Sequence, residues 1–578
     1  MFQAQIPGRC QLHLVKNKHS QANDWAKEWT ELYPEPPSKV TAPKKVDPLA
    51  RPSKPPSLST GKTQADVLTE PPKFGCQVKT RKYTLSWRLV TNSGVDDSII
   101  RPVIGAKGYP YYPGSSMKGA FRRACDSDKQ AIVFCGQNRD EKEDIAKQGI
   151  LRFHGAYPVD TSWKKSLVDV IHPQYRKQVI QDETTSTKAQ ISLYRLEMQF
   201  GISSTIPMDQ VDWDTVWNIW EKALGYGIGS RVSAGYGRFE KVCQYQNILQ
   251  IHLQGQGIAS TLLNRTPEFR INMFKAGLRG HTLRLFGGLT NEENAQKLTD
   301  DLWGNIESKE GAILGLLGVG FEYGSEPNNL AFSKHYYTPP QKNKTCMDLY
   351  ELKEGLLQIF INAKTEEEDE LSKIAQSLVQ FAMLFGGFGK SWRRANHRLF
   401  FKEYFKTQDK PMIGCHWQFT KDSALLYLPC HNLKKDFTNF LEDLRAKLKS
   451  WASKRIHVNT EQYAENWREA WYPYQDQRGG VQIWGRLALS QGDSKAIRWF
   501  HNKYDNFNSI KKKSLTGQMG TTGRIWHRMY PCYQNDPDGN FIQTEKYVEL
   551  LTIFPDNSKD TKKFLNFLGD QTDFESLW

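Results

Sequence analysis

Residues 109–124 combine aromatic, serine and basic side chains in an order that could bind a phosphate group. Aromatic residues favour an extended segment, and the Pro113-Gly114 pair indicates a turn after it. Either of two serines could cap a helix that begins there, and the free N–H groups and dipole of a helix start attract anions. The polar residues of the segment are Ser115, Ser116, Lys118, Arg122 and Arg123. They predict a phosphate site, although an ordinary strand-turn-helix with a basic surface explains them equally well.

Three glycine-rich stretches carry further cations. Glycine permits positive φ and close approach of a ligand to the backbone. Many ordinary turns are also rich in glycine, so each loop alone is weak support for a binding site. The candidate phosphate-binding residues of the first stretch, 227–240, are Gly229, Arg231, Ser233, Gly235 and Arg238. Those of the second, 267–288 with 381–401, are Arg270, Lys275, Arg279, Gly387, Lys390, Arg393 and Arg394. Those of the third, 509–531, are Lys512, Arg524 and Arg528.

Composition favours a nucleic-acid partner. The 578 residues carry a net charge of +15 and include 17 Trp, 24 Tyr and 29 Phe. Cations suit phosphates and rings suit bases, so this mixture is typical of proteins that bind single-stranded nucleic acid. We expect a cytoplasmic protein without a membrane partner, because no apolar run has the length of a membrane span and no signal peptide is evident. The nine scattered cysteines include no CxxC pair, so a zinc ribbon or disulfide framework is not expected.

Alternation and helical spacing predict the elements that position these residues. Alternation predicts strands in 80–90, 191–202 and 481–490, and strand-like segments in HWQF (416–419) and ALLYLP (424–429). Helical spacing predicts helices over 212–226, from the acidic run 365–370 to Leu384, and over 433–454. A strand and a helix are expected within 1–33, and Pro and Lys enrichment in 34–73 predicts an extended linker.

The segment PYYPGSSMKGAFRRA resembles the PGSSLKG(A/G)LR signature of RAMP proteins, the RNA-binding subunits of type III CRISPR effectors. The loop GIGSRVSAGYGRFE is similar to the loop that ends RAMP domains, usually GxGxxxSxGYGxF, and it follows in the expected order. The resemblance implies an α+β fold of tandem ferredoxin-like, RRM-type domains. The first of these, residues 76–245, resembles the Cas-seven and Cmr-six type and follows an N-terminal segment and linker at 1–75.

Residues 246–412 resemble the Cmr-one-like RAMP pattern. The matching segments are PEFRINMFKAGLRGHTLRLFGG and FAMLFGGFGKSWRRANHRLFF. His397 and Leu399 depart from the expected glycines, so the tail of the second loop matches less well. Residues 413–578 repeat the theme of helix, basic glycine loop and strand more faintly, which predicts a third, degenerate RAMP-like lobe.

The resemblance implies a subunit that holds CRISPR RNA paired with target RNA. The expected protein partners are neighbouring RAMP subunits, a large Cas-ten-type subunit and a small subunit of a type III complex. Residues 94–101, GVDDSIIR, are similar to the family pattern G-(I/V)-D-x-x-(I/V)-x-R, in a predicted loop. Asp96 falls on the catalytic, metal-binding position with Asp97 second, so the resemblance implies target cleavage with Mg²⁺ or Mn²⁺.

Three alternatives remain open from the sequence. The first is a subunit of the same complex that binds and caps RNA without cutting it. Between Gly257 and Arg270, in the Cmr-one-like unit, the only carboxylate is Glu268, so we expect that unit to bind RNA without cleaving it. The second alternative is a CRISPR RNA processing endoribonuclease. The third is a general single-strand RNA-binding protein, against which stands the lack of an RNP-type sequence run.

Overall fold

A computed structural model of the chain describes residues 70–578 together with 24, 26–27 and 29–31. Within 70–578 it leaves out 93, 97–98, 138–146, 172–187, 243–246, 263–265, 309–310, 325, 327, 339–344, 363–364, 390–414, 458–461, 476–478 and 519–520. The described chain forms three successive α+β units. No helix among the described residues is both long and apolar enough to cross a membrane.

The first unit contains a three-stranded antiparallel sheet, a four-stranded mixed sheet of short strands and two-stranded pairs. Its strands are β1 (Lys79–Thr84), β2 (Arg88–Leu89), β3 (Gly94–Asp96), β4 (Ile99–Arg101), β5 (Gly136–Gln137), β6 (Lys147–Gln148), β7 (Leu151–Pro158), β8 (Val168–Ile171), β9 (Lys188–Ile191), β10 (Leu193–Tyr194) and β11 (Glu197–Ser204). Its helices are α1 (Gly114–Ala124), α2 (Asp128–Cys135) and α3 (Trp213–Tyr226).

The second unit is built on a five-stranded antiparallel sheet. Its strands are β12 (Asn247–Ile258), β13 (Ser260–Thr261), β14 (Pro267–Glu268), β15 (Asn305–Ser308), β16 (Gly311–Ile313), β17 (Leu317–Glu322), β18 (Leu330–Tyr337), β19 (Thr345–Ile361) and β20 (His416–Phe419). Its helices are α4 (Asn272–Gly287), α5 (Glu292–Trp303) and α6 (Glu368–Phe381), the last continued by a π-helical turn at Ala382–Gly386.

The third unit begins with the long helix α7 (Leu433–Ser453) and contains a four-stranded sheet. Its strands are β21 (Gln482–Ala488), β22 (Gly517–Gln518), β23 (Thr521–Thr522), β24 (Ile525–Asn535), β25 (Phe541–Ile553) and β26 (Glu575–Ser576). Its other helices are α8 (Lys495–His501) and α9 (Lys559–Gln571).

The main sheets of the three units have the same strand order. In the second unit the order is β17-β19-β12-β20, and in the third it is β24-β25-β21-β26. In the first unit the order is β7-β11-β1, and an antiparallel bridge between Leu85 and Phe239 adds a fourth position beside β1. When the strands of each main sheet are counted in chain order, the first strand lies between the third and the fourth in every unit. Helices follow the first and the third strand of each sheet. The same strand order therefore recurs in the main sheets along the chain.

Hydrophobic cores join the second and third units more closely than the first. The first unit has its own core, which includes Trp163, Phe200 and Trp220. A larger core runs without interruption from the second unit into the third. A separate core lies on the opposite face of the third sheet, under α8 and α9. Four side chains of the first unit enter the large core, namely Trp87, Val90, Ile100 and Tyr236.

Several predicted helices are confirmed. Helix α3 buries Val216, Ile219, Trp220 and Leu224, and the Asp212 carboxylate caps it by accepting the Thr215 N–H. Helix α7 coincides with the predicted 433–454 to within one residue. In the N-terminal segment, residues between Asp24 and Glu31 are helical where the structure describes them.

Three expectations need correction. Helix α1 begins at Gly114 with Pro113 before it, so the two serines lie within its first turn and do not cap it. Residues 424–426, the first half of the expected ALLYLP strand, belong to a 3₁₀ turn over Lys421–Leu426. Strand β20, which lies beyond the boundary expected at 412, pairs with β12 in the second sheet. The predicted loop at 94–101 is a short hairpin, because β3 pairs with β4.

Candidate nucleic-acid interface

The start of helix α1 is fixed by the strand beneath it. The Tyr111 hydroxyl accepts a hydrogen bond from the Gly114 N–H at 3.1 Å and donates to the His154 carbonyl at 2.9 Å. Its ring stacks on Tyr157, with 4.8 Å between centroids. A Cβ atom at Gly114 would lie 2.1 Å from the Phe153 carbonyl oxygen, so only glycine fits this contact. The Pro-Gly turn therefore holds the helix start in one position on β7.

One face of α1 presents polar and basic side chains to solvent. Residues three and four apart share a helix face, and all members of this set are exposed or half-buried. They are Ser115, Ser116, Lys118, Gly119, Arg122 and Arg123, which we call the α1 face. Arg122 donates to the Gly136 carbonyl at 2.5 Å. No carboxylate among the described residues pairs with Lys118 or Arg123.

Gly119 adds a steric feature to the α1 face. A Cβ atom there would have no neighbour within 4 Å, so the fold does not require glycine at this position. Glycine inside a helix lowers stability by about 1 kcal/mol relative to alanine. The N–H groups of the first helical turn have no partner within a helix. The α1 face thus offers backbone donors, two cations and an uncovered stretch of helix backbone to a ligand.

The predicted catalytic pair is only partly visible. Asp97 lies outside the described residues, and of Asp96 the structure describes the backbone, in β3 and opposite Ile99 of β4. Strand β4 pairs in parallel with β9, which ties the hairpin to the small sheet β3-β4-β9-β8. In the part of the chain that the structure describes, no group of three or more His, Cys, Asp or Glu residues could hold a metal ion.

The first glycine loop lies directly over the strand that leads to this hairpin. Ser230 donates its N–H to the Val90 carbonyl at 2.9 Å, and Gly237 donates to the Arg88 carbonyl at 2.7 Å. Gly229 has φ +79°, and a Cβ atom there would lie 2.5 Å from the Val90 oxygen. Arg231 adopts a left-handed conformation with φ 64°. The loop is therefore fixed by close backbone contacts, with Arg231 and Ser233 half-buried.

Arg238 and Arg270, both predicted to bind RNA, are tied into the protein interior. The buried Arg238 donates to the Gly225 carbonyl at 2.6 Å and lies over the Phe360 ring of the second unit. Burial lowers the pKa of Arg238 to about 9. Arg270 pairs with the buried Asp169 of the first unit at 2.5 Å. These two guanidinium groups join units, so we remove them from the candidate surface.

A second buried ion pair crosses the same boundary. Arg88 makes two hydrogen bonds to Glu268, both of 2.8 Å, and Trp87 donates to the same carboxylate at 2.9 Å. Asp169 also accepts the Tyr236 hydroxyl at 2.8 Å. Burial opposes ionisation of Asp169, but Arg270 and Arg88 lower its pKa to about 2. Arg88, Asp169 and Glu268 form this boundary, and the sequence pattern did not identify the first two.

Helix α4 carries Lys275, which contacts the first glycine loop. Its amine donates to the Ser233 hydroxyl at 2.6 Å. Burial, followed by the charges of Arg279 and Arg231, lowers the pKa of Lys275 to about 7. Arg279, one turn further along, is buried and pairs with Asp300 at 2.6 Å, so it serves α4–α5 packing. The structure therefore places Arg231, Ser233 and Lys275 together.

The second glycine loop packs on the same helix. Gly387 ends the π-helical turn with φ +84°, and its carbonyl lies 3.5 Å from the His281 Nε2. A Cβ atom at Gly277 would approach the Phe388 ring to 2.9 Å. Gly387 is buried in this contact. The cations predicted to follow it, Lys390, Arg393 and Arg394, lie outside the described residues.

The far end of α4 contacts the third unit. Arg284 pairs with the buried Glu469 at 2.6 Å, and its carbonyl accepts the Trp471 N–H at 2.9 Å. A Cβ atom at Gly288 would lie 1.8 Å from the Trp471 carbonyl oxygen. Helix α4 therefore contacts the first glycine loop, the second glycine loop and the third unit along its length.

The predicted cations of the third unit differ in exposure. Lys512 is exposed, with φ 61°. Arg524 is half-buried and lies 3.6 Å from Asp556. Arg528 is buried and donates to the Met383 carbonyl of the second unit at 2.9 Å, and burial lowers its pKa to about 10. Of the three, only Lys512 is exposed, and Arg528 joins the third unit to the second.

Comparison with known proteins gives structural neighbours only. No family model and no curated protein sequence matches the chain. A chain of the cryo-EM structure of the Type III-B Cmr-beta bound to cognate target RNA is similar over 28% of this chain and 57% of that one, with 22% identity and a TM-score of 0.22. The crystal structure of Cmr6 from Pyrococcus furiosus is similar over 29% of this chain and 97% of that one, with 16% identity and a TM-score of 0.18.

Proposed function

We propose that this chain is an RNA-binding subunit of a type III CRISPR–Cas effector complex. It holds CRISPR RNA paired with target RNA, alongside neighbouring RAMP subunits and the large and small subunits. The observation that carries the proposal is the α1 face, where the RAMP-like signature presents Lys118 and Arg123 to solvent beside the open Gly119. Contacts of this kind are made to phosphate and sugar, and base pairing reads the sequence.

The proposal includes three ferredoxin-like units in one chain. Strand order and helix placement in all three main sheets support this, since the β-α-β-β-α-β sequence of elements is that of the ferredoxin-like motif. In this proposal the first unit is of the Cas-seven and Cmr-six type, the second is Cmr-one-like, and the third is a degenerate relative. The buried ion pairs between the first two units support one rigid body, and not two tethered domains.

We further propose that the first unit cleaves target RNA, with Asp96 as the catalytic carboxylate and Asp97 as a second carboxylate. The support is the GVDDSIIR match and the position of its hairpin, which follows directly on the strand beneath the first glycine loop. Mg²⁺ or Mn²⁺, held by the Asp96 carboxylate, would stabilise charge at the cleaved phosphate. The alternative is a subunit that binds and caps RNA without cutting.

The test is cleavage of end-labelled complementary RNA by the assembled complex with Mg²⁺, comparing wild type with Asp96→Ala at equal RNA occupancy. Asp128→Ala is the matched control, because Asp128 is an exposed carboxylate in the first turn of α2. The proposal expects one cut to disappear with Asp96→Ala while the others remain, and no change with the control.

An unchanged set of cuts with Asp96→Ala would leave a binding and capping subunit. Processing of precursor CRISPR RNA by the chain alone would instead indicate a processing endoribonuclease. Chelation of the metal is expected to stop cleavage and leave RNA binding intact.

A further inference from the structure

The third unit presents one aromatic ring that no feature of its fold explains. Phe507 is 87% exposed, the highest value for a large hydrophobic side chain among the described residues. It lies in the turn 504–509 between α8 and the third glycine loop. An isolated exposed hydrophobic side chain is common, so the turn and its surroundings decide whether Phe507 has a role.

The turn is held in a single conformation. The Asp505 carboxylate accepts the Phe507 N–H at 2.8 Å and the Asn508 N–H at 2.5 Å, and its other oxygen accepts the Asn508 side-chain amide at 2.8 Å. Tyr504 donates its N–H to the Asn508 carbonyl at 3.0 Å. The Tyr504 ring points into the core, 4.8 Å from Phe567 between centroids. The turn thus buries one ring and presents the other to solvent.

Two lysines contact the turn that carries the exposed ring. Lys503 donates to the Asn506 carbonyl at 3.2 Å, and Lys563 of α9 donates to the Asn508 side chain at 3.3 Å. Three further lysines follow within the same segment: Lys511, Lys512 and Lys513. All five are exposed, and in the part of the chain that the structure describes only Lys513 forms an ion pair, with Asp560 at 3.3 Å.

We propose that this turn is a second RNA contact, in which Phe507 stacks on a base of a single-stranded segment and the neighbouring lysines bind its phosphates. Base stacking on an exposed aromatic ring with cations along the strand is the usual way to bind single-stranded nucleic acid. A pre-ordered turn favours this because little conformational freedom is given up on binding. The positive surroundings favour a polyanion over an apolar protein pocket. The inference rests on the proposed function and adds a site in the third unit.

The test measures binding of the full chain to a single-stranded oligouridine and to the same strand without bases. Phe507→Ala should weaken oligouridine binding about 5- to 150-fold, the range expected for one stacked base, and should leave the abasic strand unaffected. Phe507→Trp should keep wild-type affinity, because it retains an aromatic face. Leu489→Ala is the matched control, since Leu489 is 78% exposed in the same unit. With Lys511→Gln and Lys512→Gln combined, the negative slope of log K against log salt should become shallower by about 0.7 for each phosphate that these lysines bind.

Phe507 buries little surface, so thermal unfolding of Phe507→Ala should match wild type. Equal affinity of Phe507→Ala and wild type for oligouridine would overturn the inference, and it would leave a protein partner as the explanation of the exposed ring. If Lys118→Ala with Arg123→Ala still weakens RNA binding in that case, the proposed function stands without this site. A wild-type chain that binds no RNA would overturn both.

Discussion

Helices α1 and α4 have similar sequences of small and basic residues, but their cations have different surroundings. On α1, Lys118 and Arg123 are exposed and face no described carboxylate. On α4, Arg279 and Arg284 are buried against Asp300 and Glu469. The comparison shows that basic residues at helical spacing have two uses in this chain. Helix α1 presents them to solvent, and α4 uses them to pack on α5 and on the third unit.

The difference follows from what covers each helix. One side of α1 packs on β7 and the other is open, as Gly119 shows. Helix α4 has the two glycine loops and the third unit around it, so its cations cannot stay in water. A buried cation needs a partner, and each buried arginine of α4 has one. Lys275 is intermediate, since it is half-buried and its amine bonds a hydroxyl, not a carboxylate.

The largest expected effect concerns the buried boundary between the first two units. Glu268→Gln removes one of the two buried carboxylates that stabilise the charge of the buried Arg88 guanidinium, which should lower the free energy of unfolding by about 3–5 kcal/mol. Urea unfolding followed by tryptophan fluorescence measures it. Asp369→Asn breaks an exposed pair with Lys373 and should have no measurable effect. Equal midpoints for the two variants would contradict a structural role for the boundary pair.

The next effect concerns the α1 face. Lys118→Ala with Arg123→Ala should weaken RNA binding. The negative slope of log K against log salt should become shallower by about 1.4, for two phosphate contacts at about 0.7 each. Both side chains are exposed, so the unfolding midpoint should stay unchanged. Lys434→Ala with Lys435→Ala, exposed at the start of α7, is the control. An unchanged slope with the α1 variant would remove the α1 face from the interface.

The lowered pKa of Lys275 predicts how the free energy of unfolding changes with pH. Its pKa falls to about 7 in the folded protein from an ordinary value near 10.5 in the unfolded chain. Between these values the unfolded chain binds more protons, so the free energy of unfolding rises with pH across this range. Lys275→Met should flatten the rise, which urea unfolding at several pH values measures. A rise of the same steepness in Lys275→Met would show that other groups cause it.

The smallest effect concerns Gly119. Gly119→Ala should raise the free energy of unfolding by about 0.5–1 kcal/mol, because alanine favours a helix and nothing lies near the new methyl group. If RNA backbone passes close to the helix, the same methyl group should weaken RNA binding. Gly569→Ala, in α9, should also stabilise the chain without any effect on RNA. A Gly119→Ala variant with wild-type RNA affinity would place the RNA away from this part of α1.

Local sequence patterns predicted much of the fold. Alternation located β1 and β21. Helical spacing located α3 and α7, because each of these helices buries one regular face. The α+β repetition also follows from glycine loops that recur along the chain. The shared strand order did not follow, since pairing such as that of β20 with β12 is set by tertiary packing.

The site was predictable only where a cation is exposed by local geometry. The residues of the α1 face could be named from a turn and a helix start. The partners of Arg238, Arg270, Arg279 and Arg528 come from distant parts of the sequence, so the pattern could not separate buried pairs from surface cations. For the same reason Asp169, far from Arg270 in the sequence, was not identified. Phe507 was missed because exposure of a lone aromatic residue leaves no periodic signal.

The central claim is that RNA lies on α1 and not on α4. The most direct measurement is crosslinking of 4-thiouridine-labelled CRISPR RNA to the full chain, with the modified peptides identified by mass spectrometry. The account predicts crosslinks within residues 109–124 and none within the buried arginine segment of α4, 278–287. Crosslinks concentrated on α4, with residues 109–124 unmodified, would contradict it.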